Sequence, residues 1–243
     1  MKIIAAQILC PLGPIEDNLE RHLAVVERAA RLGGAVVVFP ELSLTGYAPR
    51  RAREWAVQWD DPRLQPLQQA SDRHGLTIAV GVPLWQASTV RIGMLTFRPE
   101  QRPQAYTKQW LHADEQAFFA PGNSMQLISV SGWQLAPAIC YESLRMPHAE
   151  AMAAAGGQVY LASVAKTGKG LPDAAQHYAH VAQRFAIPVV LANAVGPVED
   201  FICAGGSGVW SAGGERLCQA SADQPALVSH DLSSGKAEVL TLA

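Results

Sequence analysis

The sequence contains no run of about 18 apolar residues, so nothing in it reads as a membrane-spanning helix. Its opening, Met1-Lys2-Ile3-Ile4-Ala5-Ala6-Gln7, lacks the long apolar stretch and small-residue cleavage site of a secretory signal. The address expected from this is cytoplasmic. Cysteine is sparse and scattered: Cys10, Cys140, Cys203 and Cys218 form no C-x-x-C pair, which excludes a structural zinc ribbon and a dithiol redox motif. In a cytoplasmic setting they are read as free thiols. Charge is also thin, at 16 % of residues with a formal net charge of -2 and an isoelectric point near 6.4. The nearest basic patch, Arg50, Arg51 and Arg53, is short, so neither nucleic acid nor an anionic membrane is expected as a partner.

Several hydrolase and nucleotide signatures are missing as well. Gly205-Gly206-Ser207-Gly208-Val209 lacks the last glycine of a G-x-S-x-G nucleophile turn, and its glycines read as a tight turn. His177 and His180 face the same way on a predicted helix, but the other histidines are dispersed and no H-E-x-x-H occurs. Thr167-Gly168-Lys169-Gly170 has the wrong order for a phosphate-binding loop and reads as a surface loop. No metal and no cofactor is expected.

What is present is a large apolar fraction, 49 % of 243 residues, enough for one domain spanning 1–243. Strand and helix patterns alternate. A strand at Lys2–Gln7 precedes a helical stripe of Ile15, Leu19, Leu23 and Val26, then the apolar run Ala35–Phe39, whose lack of polar alternation predicts a strand covered on both faces. A helix at Leu64–His74 and strands at Thr77–Val82, Ile92–Arg98 and Gln104–Lys108 follow, the last two separated by a turn with Pro99 and Pro103. The second half predicts a strand at Gln134–Ile139, a helix at Pro147–Ala155, a strand at Gln158–Ala162, a helix at Ala174–Phe185 and a strand at Val189–Ala194. Short strands at Gly208–Ser211 and Ala226–Asp231 finish the pattern. Hairpin-linked and helix-linked strands together favour an α/β sandwich with helices outside.

Three polar residues sit where predicted strands end. Glu41 closes the apolar run Ala35–Phe39 after Pro40, and a carboxylate there is costly unless paired or used. Lys108 ends the strand that begins at Gln104, with Glu115 downstream. Cys140 follows Leu135-Ala136-Pro137-Ala138-Ile139, at the strand end where α/β sheets present reactive groups. Taken singly, each has an ordinary explanation: a turn cap, a solvated lysine, a core thiol.

In content and order, these segments resemble the nitrilase, or carbon-nitrogen hydrolase, superfamily. Pro40-Glu41-Leu42-Ser43-Leu44-Thr45-Gly46-Tyr47 is similar to that family's general-base segment, Tyr106-Thr107-Lys108 to its lysine segment and Ile139-Cys140-Tyr141-Glu142 to its nucleophile segment. Weaker likenesses at Ala5-Ala6-Gln7, Val80-Gly81-Val82-Pro83, Phe119-Ala120-Pro121-Gly122, Ala192-Asn193-Ala194-Val195-Gly196 and Gly205-Gly206-Ser207 extend it over nearly the whole chain.

The resemblance implies a four-layer αββα sandwich, usually paired with a second subunit, here a homodimer or higher homo-oligomer. It implies Cys140 as nucleophile, Glu41 as proton carrier, Lys108 as oxyanion partner and Glu115 as a second glutamate holding lysine and substrate. Tyr47, Tyr141, Glu142 and Lys166 are expected beside the substrate. An amide needs such a set, because its carbonyl is a poor electrophile and its nitrogen a poor leaving group. A small-molecule amide is the expected substrate, with carbamoyl amides and nitriles as alternatives and a non-catalytic binding protein as the reading of another class. Cys140-Tyr141-Glu142 differs from the Cys-Trp-Glu common in true nitrilases. Ala162-Ser163-Val164-Ala165-Lys166 departs from the asparagine, serine and aromatic residue common in the family, placing Lys166 where an acidic substrate could be admitted.

Overall fold

The computed structural model describes residues 1–242, and its strands form two sheets with helices on their outer faces. The first half contains β1 (Lys2–Gln7), α1 (Ile15–Arg31), β2 (Val36–Val38), α2 (Ala52–Trp55), α3 (Gln65–His74), β3 (Thr77–Gln86), β4 (Thr89–Phe97) and β5 (Gln104–Thr107). The middle contains β6 (Ile128–Val130), β7 (Trp133–Ile139), α4 (Met146–Ala154), β8 (Val159–Val164), α5 (Leu171–Phe185) and β9 (Val189–Asn193). Six strands follow: β10 (Val195–Pro197), β11 (Ile202–Ala204), β12 (Gly208–Trp210), β13 (Arg216–Gln219), β14 (Ala226–Asp231) and β15 (Ala237–Thr241).

One sheet has the order β15-β14-β1-β2-β3-β4-β5 and the other β13-β12-β9-β8-β7-β6, with β10 and β11 forming a separate ribbon. Each sheet has a parallel centre, β1-β2-β3 in one and β7-β8-β9 in the other, flanked by antiparallel strands. Parallel neighbours need crossover connections, which α1, α3, α4 and α5 supply. This is the expected αββα sandwich.

The two-residue period of a strand explains the unbroken apolar runs. Ile3, Ala5, Val36 and Val38 join the core shared with the second sheet, while Ile4, Ala6, Val37 and Phe39 pack in the core under α1 and α3. Both faces are covered, so no polar position is tolerated between them.

The structure corrects the sequence reading in several places. On α1 the buried face runs through Asn18 and His22, and Leu19 and Leu23 are only partly buried. The reason is polar anchoring. Asn18 Nδ2 donates to the carbonyls of Pro11 and Leu44 at 2.8 and 3.1 Å, while His22 bridges the Asn18 carbonyl at 2.8 Å and Ser43 Oγ at 2.9 Å. Helix α5 begins at Leu171, and Gly168–Gly170 is a 3-10 turn leading into it rather than a loop. Strands β6, β10, β11 and β13 are short, and β15 is a partly exposed edge strand, so none gave a strong apolar signal. The four cysteines are free, and among the described residues no helix is long and apolar enough to cross a membrane.

Candidate active site

Glu41, Lys108 and Cys140 each leave the end of a strand, and local backbone fixes each one. The turn after β2 places Leu42 in the left-handed region at φ 50°. It is held by Leu44 N–H donating to the Gly81 carbonyl at 3.0 Å and Gly81 N–H donating to Ser43 Oγ at 3.3 Å. A Cβ on Gly81 would come within 2.3 Å of Leu42 N, so the approach of β3 to the Glu41 turn requires glycine there. Lys108 N–H donates to the Ile92 carbonyl at 2.9 Å, and its own carbonyl accepts from Gly122 N–H at 2.7 Å.

Cys140 has φ 48°, a conformation that costs a non-glycine residue on the order of 1 kcal/mol or more and needs neighbours to enforce it. It opens the 3-10 turn Cys140–Leu144, where the first N–H groups, including that of Tyr141, have no partner within the turn. Ser143 Oγ donates to the Cys140 carbonyl at 2.6 Å. Across the sheets, Ser163 Oγ donates to the Phe39 carbonyl at 2.7 Å, pinning β8 to the end of β2 and so the nucleophile side of the site to the Glu41 side.

These elements bring the expected side chains together. Lys108 Nζ donates to Glu41 Oε1 at 2.8 Å and to Glu115 Oε1 at 2.7 Å, with all three side chains at 1 % exposure or less. Glu115 is fully engaged, since Oε1 also accepts from Tyr47 Oη at 2.9 Å and Oε2 from His112 N–H at 2.7 Å. Glu41 is not: its Oε2 is buried without a partner. Cys140, partly exposed, lies close enough to interact with the Glu41 carboxylate.

Burial dominates the electrostatics. It raises Glu41 above the ordinary carboxylate value, with Lys108 opposing and Glu115 adding to the rise. It pushes the Cys140 thiol up to about 12, reinforced by Glu41 and opposed by the ammonium groups of Lys108 and Lys166. For Lys108 burial acts downward, but Glu41, Cys140 and Glu115 outweigh it and hold the ammonium charged. Lys108 thus ties Glu41 and Glu115 together next to the Cys140 thiol and leaves one Glu41 oxygen free.

The remaining expected residues divide. Tyr141 is partly buried, edge-on to His112 and under the Arg145 guanidinium. Tyr47 spends its hydroxyl on Glu115, and its ring lines a cavity of about 120 Å³ with Phe118, Phe201, Asp114 and Glu199. Lys166 follows β8, beside Cys140. Glu142 is a correction: it is fully buried and both oxygens are occupied, so it has nothing to offer a substrate. Oε1 accepts from Tyr106 Oη at 2.7 Å and Ile139 N–H at 2.8 Å, and Oε2 from Gln109 and Trp110 N–H at 2.7 and 3.3 Å. It therefore ties the backbone after Lys108 to the backbone before Cys140.

Sequence reasoning missed what lies behind Glu142. His148 bridges two tyrosines, with Nδ1 2.9 Å from Tyr160 Oη and Nε2 2.9 Å from Tyr106 Oη, while Tyr160 Oη donates to the Ser143 carbonyl at 3.4 Å and Tyr106 Oη to Glu142. Burial lowers His148 to about 4, which keeps the imidazole neutral. Nothing in the spacing of Tyr106, His148 and Tyr160 signals this chain of bonds. It also missed Asn193, whose segment had been noted without a role and whose side chain grips Lys166. Ser207 is buried, and its hydroxyl accepts from Asn193 N–H at 2.9 Å and donates to the Asn193 carbonyl at 3.3 Å. Among the described residues no group of three or more His, Cys, Asp or Glu side chains could hold a metal, so His177 and His180 find no further ligand.

The family model for carbon-nitrogen hydrolases matches residues 4–240. The chain belongs to the carbon-nitrogen hydrolase family. Among curated relatives it is 32 % identical over 157 residues to a glutamine-dependent NAD(+) synthetase of Xylella fastidiosa, covering 58 % of this chain and 27 % of that protein. A synthetase of the same name from Thermotoga maritima is 24 % identical over 246 residues, covering 96 % of this chain and 42 % of that protein. The chain thus spans less than half the length of these relatives. Among solved structures it is similar to the amidase from Nesterenkonia sp. AN1. A cysteine-to-alanine mutant of that amidase in complex with butyramide superposes with a TM-score of 0.85 at 23 % identity, over 97 % of this chain and 92 % of that one. Another of its mutants, showing covalent addition of the acetamide moiety of fluoroacetamide at the active site cysteine, gives a TM-score of 0.85 at 24 % identity, over 96 % and 90 %. At these identities the likeness establishes a shared fold.

Proposed function

We propose that this carbon-nitrogen hydrolase is an amidase that cleaves a small-molecule amide through a thioester on Cys140. The observation that carries the reading is the pairing of Lys108 with both Glu41 and Glu115 while Glu41 Oε2 stays unpartnered near the thiol. Glu41 takes the thiol proton as sulfur attacks the amide carbon, and the raised affinity of Glu41 for protons lets it pass that proton to the departing nitrogen. The carbon-nitrogen bond breaks, leaving ammonia or an amine and an acyl-thioester. Glu41 then takes a proton from water, whose oxygen attacks the thioester carbon, and the thiol departs with the proton. In both tetrahedral intermediates the remaining donor capacity of Lys108 Nζ and the N–H of Tyr141 face the negative oxygen. Glu115 positions the lysine and leaves its third proton for that oxygen.

The test is ammonia release from a panel of small amides, carbamoyl compounds and nitriles, repeated with Cys140→Ala. Release from amides that disappears in the variant, together with a thioester mass adduct on the wild type, supports the reading. Release retained by Cys140→Ala overturns the nucleophile assignment, and a preference for carbamoyl compounds or nitriles overturns the substrate class. A wild type that binds amides but hydrolyses none points to a non-catalytic protein. Glutamine belongs in the panel, because the curated relatives carry glutamine-dependent names.

A further inference from the structure

The hydrolytic cycle leaves one cation at the site unused. Lys166 follows Ala165, whose carbonyl lies 4.0 Å from Cys140 Sγ, so the lysine leaves the chain beside the nucleophile. Its backbone is clamped: N–H donates to Asn193 Oδ1 at 2.8 Å, and the carbonyl accepts from Asn193 Nδ2 at 3.1 Å and Ala204 N–H at 3.0 Å. The stem runs along Gly170, where a Cβ would lie 3.4, 3.6 and 3.7 Å from Lys166 Cγ, Cδ and Nζ. Nζ therefore rests against the residue that precedes α5, where the positive end of the helix dipole adds to its own charge.

Among the described residues Lys166 Nζ forms no ion pair and no hydrogen bond. Within the site, Glu41 and Glu115 both pair with Lys108 instead. The Lys166 charge nonetheless reaches the thiol, where it favours the thiolate. A half-buried ammonium without a counter-ion, fixed at its root and placed beside the reacting sulfur, is an anion site waiting for its anion.

We propose that Lys166 is the specificity-determining residue of this site and that the substrate is an amide whose acyl chain ends in a carboxylate, a monoamide of a short dicarboxylic acid. This rests on the amidase reading above. The carboxylate binds Lys166 Nζ while the amide carbon sits over Cys140 Sγ, so the acyl chain spans the gap between sulfur and ammonium. A charge-assisted hydrogen bond of this kind is worth roughly 10- to 100-fold in kcat/KM.

The experiment compares wild type, Lys166→Met and Lys166→Arg on malonamate, succinamate, glutaramate and the neutral amides butyramide and valeramide, measured by ammonia release. The wild type is expected to favour one of the monoamides; Lys166→Met should slow all substrates through the thiol but lose a further factor of roughly 10 to 100 on the monoamide relative to the neutral amides, mainly through KM. Lys166→Arg should restore part of the loss. In parallel, Cys140 is alkylated with iodoacetate and iodoacetamide, and the ratio of the two rates should drop in Lys166→Met; effects on thiolate content cancel in that ratio. A wild-type preference for neutral amides, or equal losses on charged and neutral substrates, overturns the proposal. If no amide is hydrolysed the amidase reading fails, and an unchanged alkylation ratio then refutes the anion site as well, whereas a lowered ratio retains it.

Discussion

Replacing Glu142 with glutamine tests whether the two halves of the site are held together by that buried carboxylate. Glu142 accepts from the backbone of Ile139 on one side and of Gln109 and Trp110 on the other. A glutamine has one accepting oxygen, so it can serve one side but turns an NH₂ group toward the donors of the other. The stranded backbone N–H costs about 1–3 kcal/mol, and a shift approaching 1 Å between the Lys108 and Cys140 segments lowers kcat/KM by roughly 100-fold. The pH dependence gives a second handle. Burial raises Glu142 to about 7, against the backbone N–H of Ile139, the Tyr106 hydroxyl and the other donors that favour the carboxylate. A carboxyl raised on folding contributes stability in full below its unfolded value, and that contribution is lost as pH rises through about 7. From the size of the shift the loss is on the order of 3 kcal/mol, equivalent to roughly 6–12 °C in Tm for a chain of this length. Glu142→Gln lacks this slope. Its Tm deficit against wild type should therefore be largest near pH 4.5 and narrow by that amount toward pH 8. Thermal melts across this range, combined with amide turnover, read both effects. A variant with kcat/KM within about threefold of wild type and a constant Tm deficit would refute the bridging role.

Glu41 must be ionised to accept the thiol proton, and burial raises it above the ordinary carboxylate value. The acid limb of kcat/KM should accordingly lie above that value, and a limb at or below the usual glutamate range would contradict Glu41 as the base. Gly81→Ala forces a methyl group onto the Leu42 nitrogen and Pro40 carbonyl at 2.3 and 2.4 Å. Displacement of the Glu41 turn should cost about 1–3 kcal/mol in denaturant unfolding and lower turnover far more than a comparable overpacked site remote from the cleft. Ser163→Ala removes the bond to the Phe39 carbonyl, leaving that buried acceptor unpaired at a cost of about 1–3 kcal/mol. Turnover should fall with stability, and a variant as stable and active as wild type would remove the inter-sheet tie from the account of the site.

The covered strands and the strand-end positions of Glu41, Lys108 and Cys140 were legible in the sequence, because strand period and burial on both faces dictate an unbroken apolar run ending in a turn. The resemblance to the carbon-nitrogen hydrolases supplied their roles. The polar face of α1 was not legible, since Asn18 and His22 are buried for hydrogen bonds to loops distant in sequence, and apolar periodicity cannot register that. Nor were the short strands, whose pairing energy comes from neighbours rather than from their own residues.

Glu142 shows the division most clearly. The sequence placed a carboxylate two residues after the nucleophile and could not say which way it faced. Only the fold turns it inward, where four donors from two separate segments, residues 106–110 and the end of β7, meet it. The same holds for Lys166, an ordinary surface residue by type. It becomes a charge at the nucleophile because Asn193 and Ala204 clamp its backbone there, while Glu41 and Glu115 pair with Lys108 instead.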